Sequence, residues 1–169
     1  HITGAAPMVV DENPVIYYTG ASAEGENSAI GLAVTVGETF DRYDEPVLSP
    51  PVGYVSLSQP TLMTDPMTGM YRMWMTMTDT SGHRVIGHAT SLDGTSWDEP
   101  TAVLGNEKEE VAAPVIIAAG GTYQIWYSQQ NGEVWDTAKA WSYDGVTWFD
   151  EQTIINGGTD KELKTEKVD

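Results

Sequence analysis

Eight side chains in this sequence have the types that could grip a polar, ring-shaped ligand: Tyr54, Gln59, Asp79, His83, Arg84, Glu110, Glu133 and Trp135. An indole or phenol stacks on a pyranose face, while amide, guanidinium and carboxylate groups bond hydroxyls. The same set equally describes an ordinary polar loop surface, with Arg84 paired to Asp79 and Trp135 covering a sheet edge. The histidines do not form a metal site by spacing. His83 and His88 fall on a loop–strand junction, His1 is terminal, and His88 reads as a strand residue satisfied by its neighbours. No glycine-rich phosphate cradle leads a strand into a helix, Gly120-Gly121 reads as a hairpin turn, and no serine is marked as a nucleophile. The acidic loops are compatible with Ca²⁺, but spacing assigns no ligands, and no other cofactor is implied.

The elements that must position these residues come as a repeat. Short apolar strands open at Pro7-Met8-Val9-Val10, Pro60-Thr61-Leu62-Met63 and Pro114-Val115-Ile116-Ile117, 53 and 54 residues apart. A second strand follows in each copy, at Val15–Tyr18, Tyr71–Met75 and Tyr123–Tyr127, which makes Tyr17, Trp74 and Trp126 equivalent. Third strands are expected over Ile30–Thr35, Val85–Ser91 and Thr137–Ser142, and closing strands at Val47-Leu48, Val103-Leu104 and Ile154-Ile155.

The hairpin after the third strand is the best-preserved element. Copies two and three both read Ser-x-Asp-Gly-x-x-Trp, through Ser91, Asp93 and Trp97 and through Ser142, Asp144 and Trp148. Asp-Gly supplies the positive φ of a tight turn, the Ser and Asp side chains bond turn amides, and the Trp returns as packing surface. Copy one keeps a shortened form at Thr35–Phe40.

Four short strands per copy, a period near fifty and large side chains on both strand faces predict an all-β chain. The architecture is a β-propeller of four-stranded antiparallel blades, three per chain. The blades run approximately over 5–50, 57–105 and 111–156, with a polar tail over 157–169 that is helix-friendly in composition but too short to be more than a terminal turn. Three blades do not close a ring, so either two copies complete a six-bladed ring or the chain is part of a longer propeller. The 25 acidic against 8 basic residues give a net charge of −17, which argues against nucleic acid as a partner. No apolar run is long enough to span a bilayer. The absence of Cys removes disulfide and thiol chemistry.

The run Met70–Met75, followed by Val85-Ile86-Gly87-His88-Ala89-Thr90-Ser91-Leu92-Asp93-Gly94 and a Trp, resembles the blade text of five-bladed glycoside hydrolases. These are the furanosidase-type arabinanases, xylosidases and fructosidases. The turn also resembles a shortened sialidase Asp-box, which implies structural roles for Asp93 and Asp144. The resemblance implies a carbohydrate ligand and a secreted or periplasmic setting. It further implies two carboxylates flanking the scissile bond, set near the Pro that opens each innermost strand. The matching places hold Ala6, Gln59 and Ala113, none able to transfer a proton. Two substitutes remain: Asp169, where the acid before a fourth opening Pro would stand, and Glu109 or Glu110, just upstream of Ala113. Three readings stay open: a carbohydrate-binding propeller without the acid–base pair, a hydrolase completed by another copy or further blades, and a structural half-ring with no ligand.

Overall fold

The computed structural model describes residues 1–21 and 27–157. Its twelve strands fall into three consecutive antiparallel blades. The first holds β1 (Ile2–Val10), β2 (Asn13–Ala21), β3 (Ser28–Val36) and β4 (Thr39–Arg42). The second holds β5 (Tyr54–Thr64), β6 (Tyr71–Asp79), β7 (Arg84–Ser91) and β8 (Thr101–Leu104). The third holds β9 (Val111–Ala119), β10 (Thr122–Asn131), β11 (Val134–Ser142) and β12 (Phe149–Ile155). Each blade pairs its strands in chain order, and a single parallel contact, Ser28 with Ser56, joins the first two at their edge.

Strand register confirms the repeat and corrects its first copy. Tyr17 pairs with Ala6, Trp74 with Thr61 and Trp126 with Val115, so the three aromatics are equivalent. Just before each pair the innermost strand carries a bulge, and its first residue has positive φ: Gly4 (57°), Gln59 (53°) and Ala113 (53°). The first-blade counterpart of Gln59 is therefore Gly4 rather than Ala6, and Pro7 lies two residues beyond the position of Pro60 and Pro114. Composition explains the misalignment: proline suits a bulge because it needs no ladder hydrogen bond, but Ala5 fills that place in blade one. The closing strand of blade one is likewise β4, directly after the short turn; Val47-Leu48 contributes only an isolated bridge through Leu48 to Ile30.

Period-two alternation sends the two faces of each strand to different neighbours. On β6, Met73, Met75 and Met77 pack with Tyr17, Leu32 and Leu57 between blades one and two. Trp74 on the opposite face packs with Ile125, Tyr127 and Val111 between blades two and three. The core is thus two interblade layers, with β6 buried on both sides from Arg72 to Met77. Each fully buried side chain of this size contributes about 1.5–3 kcal/mol.

The two Ser-x-Asp-Gly turns lock these layers. The Asp93 carboxylate accepts the amides of Thr95 and Ser96, both at 2.7 Å, and Ser91 Oγ accepts that of Gly94 at 2.9 Å. Asp144 and Ser142 repeat the arrangement with Val146, Thr147 and Gly145. The Ser96 and Thr95 amides hold the Asp93 carboxyl well below its usual range. At Asp144, burial opposes the shift, but the Thr147 and Val146 amides override it and leave that carboxyl low as well. Trp97 meets Tyr17 edge-on at 5.8 Å, and Trp148 packs against the second layer with its indole N–H buried and unpartnered.

Candidate functional site

The bulges gather at one end of the arc, where a row of hydroxyls ties blade to blade. Thr19, Thr76 and Ser128 stand two residues beyond Tyr17, Trp74 and Trp126 on the second strands. Thr19 Oγ1 accepts the Gln59 amide at 3.0 Å, and Thr76 Oγ1 accepts the Ala113 amide at 2.9 Å. Thr76 also donates its proton to the Gln59 side-chain carbonyl at 2.9 Å. The left-handed backbone of Gln59 and Ala113 costs a non-glycine residue roughly 1–2 kcal/mol. These amide–hydroxyl bonds fix that conformation in place.

A cleft of about 500 Å³ opens over this row. It brings together three of the residues expected to bind a ligand, Gln59, Arg84 and Trp135, with Thr76, Ala113 and Ser128 beneath them. The Arg84 guanidinium lies 5.3 Å from the centre of the Trp135 ring. It also pairs with Glu110 at 3.5 Å rather than with Asp79, because β7 projects Arg84 toward blade three while Asp79 stays in its own turn. Glu110 is therefore the carboxylate tied to the cleft through Arg84. Glu109 instead turns back to Asn106 and Gln129, and its carboxyl is raised by burial and by the neighbouring Glu151.

The remaining expected residues lie apart. Tyr54, Asp79 and His83 line a second cavity of about 600 Å³ with Ser81 and Asn106. There Asp79 Oδ1 accepts the Ser81 and His83 amides, at 2.7 and 3.0 Å, which makes it a turn-closing group. Its carboxyl is lowered chiefly by the Ser81 hydroxyl. His83 Nε2 is buried without a partner. Glu133 is exposed in the β10–β11 turn. Asp169 and the polar tail beyond 157 lie outside the described residues. Among the described residues no three His, Asp or Glu side chains gather around one point, so no Ca²⁺ ligands can be named, and no helix is long and apolar enough to cross a membrane.

Sequence reasoning missed Thr19, Thr76 and Ser128. The signal was present, a hydroxyl two residues after each equivalent aromatic, but hydroxyls are common in strands and the bulge that makes them matter is a backbone feature.

No protein-family model and no curated protein sequence matches the chain. Solved structures do. A GH130-family structure, from work on mannoside phosphorylases and glycoside hydrolases that target beta-1,2 mannosidic linkages in Candida mannan, superposes with TM-score 0.72 at 16% identity. It covers 92% of this chain and 52% of its own. Fructan 1-exohydrolase IIa from Cichorium intybus gives TM-score 0.70 at 15% identity over 88% of this chain and 31% of that one. A thermostable family-43 glycoside hydrolase gives 0.69 at 12%, over 92% and 56%. The chain has the β-propeller fold of these glycoside hydrolases. It spans about half their length or less, as three blades.

Proposed function

We propose that the chain is a carbohydrate-binding propeller segment whose axial cleft receives a sugar and which carries no acid–base carboxylate pair of its own. The observation behind this reading is the convergence of Gln59, Arg84 and Trp135 over bulges occupied by Gly4, Gln59 and Ala113. Trp135 supplies a stacking face, Gln59 and Arg84 supply hydroxyl-directed groups, and Thr76 orients the Gln59 amide. Glycoside hydrolysis needs a proton donor and a second carboxylate across the bond, and the three bulge positions offer neither.

A glycan array followed by calorimetry tests the reading. Binding to at least one polysaccharide class is expected, weakened tenfold or more by Trp135→Ala and by Gln59→Ala. Silence across plant, algal and microbial glycans would remove the sugar. Glu110, ion-paired to Arg84 beside the cleft, favours a second reading in which further blades or another copy complete a hydrolase. Release of product from aryl furanosides or pyranosides by this chain, abolished by Glu110→Gln, would replace the binding reading with that one.

A further inference from the structure

The two interblade layers differ at one corresponding seat. Between blades two and three, Arg72 is 8% exposed and its guanidinium is held by three acceptors. Nε donates to His88 Nε2 at 3.0 Å, one terminal nitrogen reaches the Asp65 carboxylate at 3.4 Å, and the other donates to the Asp144 carbonyl at 2.5 Å. The Trp74 and Tyr123 rings flank it, their centres 5.1 and 4.9 Å from its central carbon. A Cβ built on Gly145 would meet the Arg72 terminal nitrogen at 2.9 Å, so the cation sits directly on the turn glycine.

Strand register gives the counterparts between blades one and two. Val15 stands opposite Met8 and Val34 as Arg72 stands opposite Met63 and Thr90, so a valine holds the arginine's place. By the same register Leu32 stands for His88 and Val10 for Asp65. Three polar side chains are thus exchanged for three aliphatic ones. The turn itself is kept, because Tyr17 donates to the Gly94 carbonyl at 2.6 Å as Trp74 donates to that of Gly145 at 2.8 Å. A valine stops far short of a guanidinium. Where the second layer holds the Arg72 head, the first opens as a cleft of about 380 Å³ against Val10, Val15, Tyr17, Leu32, Asp93 and Gly94.

We propose that this cleft binds a small organic cation of the alkylguanidinium type, its planar head over the Gly94 turn and its alkyl arm along Val10, Val15 and Leu32. The seat keeps two groups of the kind that receive the Arg72 head one blade on. The Asp93 main chain takes the place of the Asp144 carbonyl, and the Tyr17 ring that of the Trp74 ring. Val10 lacks the charge of Asp65, but Asp11 next to it lines the cleft from blade one and Asp93 lines it from blade two. No lysine or arginine is among the lining residues, and a chain of net charge −17 disfavours an anion. The aliphatic wall suits an alkyl arm, and the volume falls in the roughly 300–1,000 Å³ range of small-molecule sites. Both walls come from blades one and two of this chain, and no residue lines both this cleft and the axial one. The proposal therefore depends neither on what covers the outer blade faces nor on a sugar at the axis.

An NMR titration of the full chain with butylguanidinium, read at the backbone amides, tests it. Saturable shifts are expected at Gly94 and Thr95, while Gly145 and Val146, at the turn whose seat Arg72 fills, stay in place. Butylurea, which has the same shape without the charge, should bind at least tenfold more weakly. Val15→Arg supplies the chain's own guanidinium and should weaken butylguanidinium binding at least tenfold. Val52→Arg, which adds the same charge at a 98% exposed position, should leave the affinity unchanged. Should Val15→Arg lose its circular dichroism spectrum, Val34→Phe narrows the cleft without a change of charge and should weaken binding tenfold or more. Shifts that are absent, or equal at the two turns, would overturn the proposal. So would butylurea binding as tightly as the cation, which would leave only an apolar cleft. An affinity that survives the cleft-filling variant would overturn it as well, and would assign the cation to the acidic surface.

Discussion

Trp74 donates its indole N–H to the carbonyl of Gly145 across 2.8 Å, from the second blade to the turn of the third. The contact is fully buried and continues through Arg72, which donates to the Asp144 carbonyl at 2.5 Å. A turn held together by its own serine and aspartate is thereby fastened to the preceding sheet. Turn and interface should fail together. Trp74→Phe keeps most of the apolar area but leaves the Gly145 carbonyl without that donor, and is expected to cost about 1–3 kcal/mol; Trp74→Ala should cost about 3–5 kcal/mol. Urea denaturation checks both. Equal costs for Phe and Ala would mean that the ring body contributes nothing beyond the bond.

The paired turns allow an internal comparison. Asp93→Ala and Asp144→Ala each remove an acceptor of two turn amides, and each should lower the urea midpoint. The Asp144 variant is expected to be the more destabilised, because its turn also receives Arg72 and Trp74, whereas the Asp93 turn receives Tyr17 and Trp97. Both carboxyls titrate below their ordinary value of 3.8 in the folded chain. Their contribution is therefore present above that pH and is lost as the pH falls through the folded values. In the alanine variants the corresponding acid limb should be shallower.

The blade was legible because its signals are local: Asp-Gly turns, alternating strands and an aromatic at a fixed register all appear in neighbouring residues. Tyr17, Trp74 and Trp126 were matched correctly for that reason. The axial geometry was harder to read because it depends on backbone conformation. Ala6 was placed opposite Gln59 by its proline, whereas the positive φ belongs to Gly4. Arg84 was paired with Asp79 by proximity in sequence, but across the β6–β7 ladder Arg84 stands opposite Thr78, so the neighbouring Asp79 falls on the other face and Arg84 meets Glu110 and Trp135 of the next blade instead. Polar contacts between blades join residues from 26 positions apart, as Arg84 and Glu110, to 77, as Tyr17 and Gly94, and no local pattern announces them.

The strained bulges give a prediction opposite in sign to the usual glycine penalty. Ala113 sits at φ 53°, where an L side chain is disfavoured, so Ala113→Gly should be neutral or stabilising by up to about 1 kcal/mol. Thr76→Val, which deprives the Ala113 amide of its acceptor, should cost about 1–3 kcal/mol. Thermal melts of the two variants read both signs. A clear loss of stability in Ala113→Gly would mean that the bulge is not strained.

His88 supplies the last prediction, a pH dependence with a defined sign. The ring is 8% exposed, lies 5.0 Å from Trp74 and accepts the Arg72 Nε proton at Nε2, 3.0 Å away. Burial and then the Arg72 charge push its pKa down to about 4, against the weaker opposing pull of Asp144 and Asp98. Protonation would replace the acceptor with a donor facing a guanidinium. Above the ordinary histidine value of 6.5 both the folded and unfolded chains hold the ring neutral, and His88 adds no pH dependence. As the pH falls below that value the unfolded chain takes up a proton that the folded chain refuses, so stability declines until the folded value near 4 is passed. The full limb amounts to no more than about 3 kcal/mol. His88→Gln keeps an acceptor for Arg72 and has no proton to gain, so the difference in stability between the two proteins should change across this window and be flat above it. The comparison must be made as a difference, because protonating the many surface carboxylates relieves self-repulsion and works in the opposite direction. A difference that stays constant from pH 7 to pH 4 would show that the ring is free to charge in the folded chain.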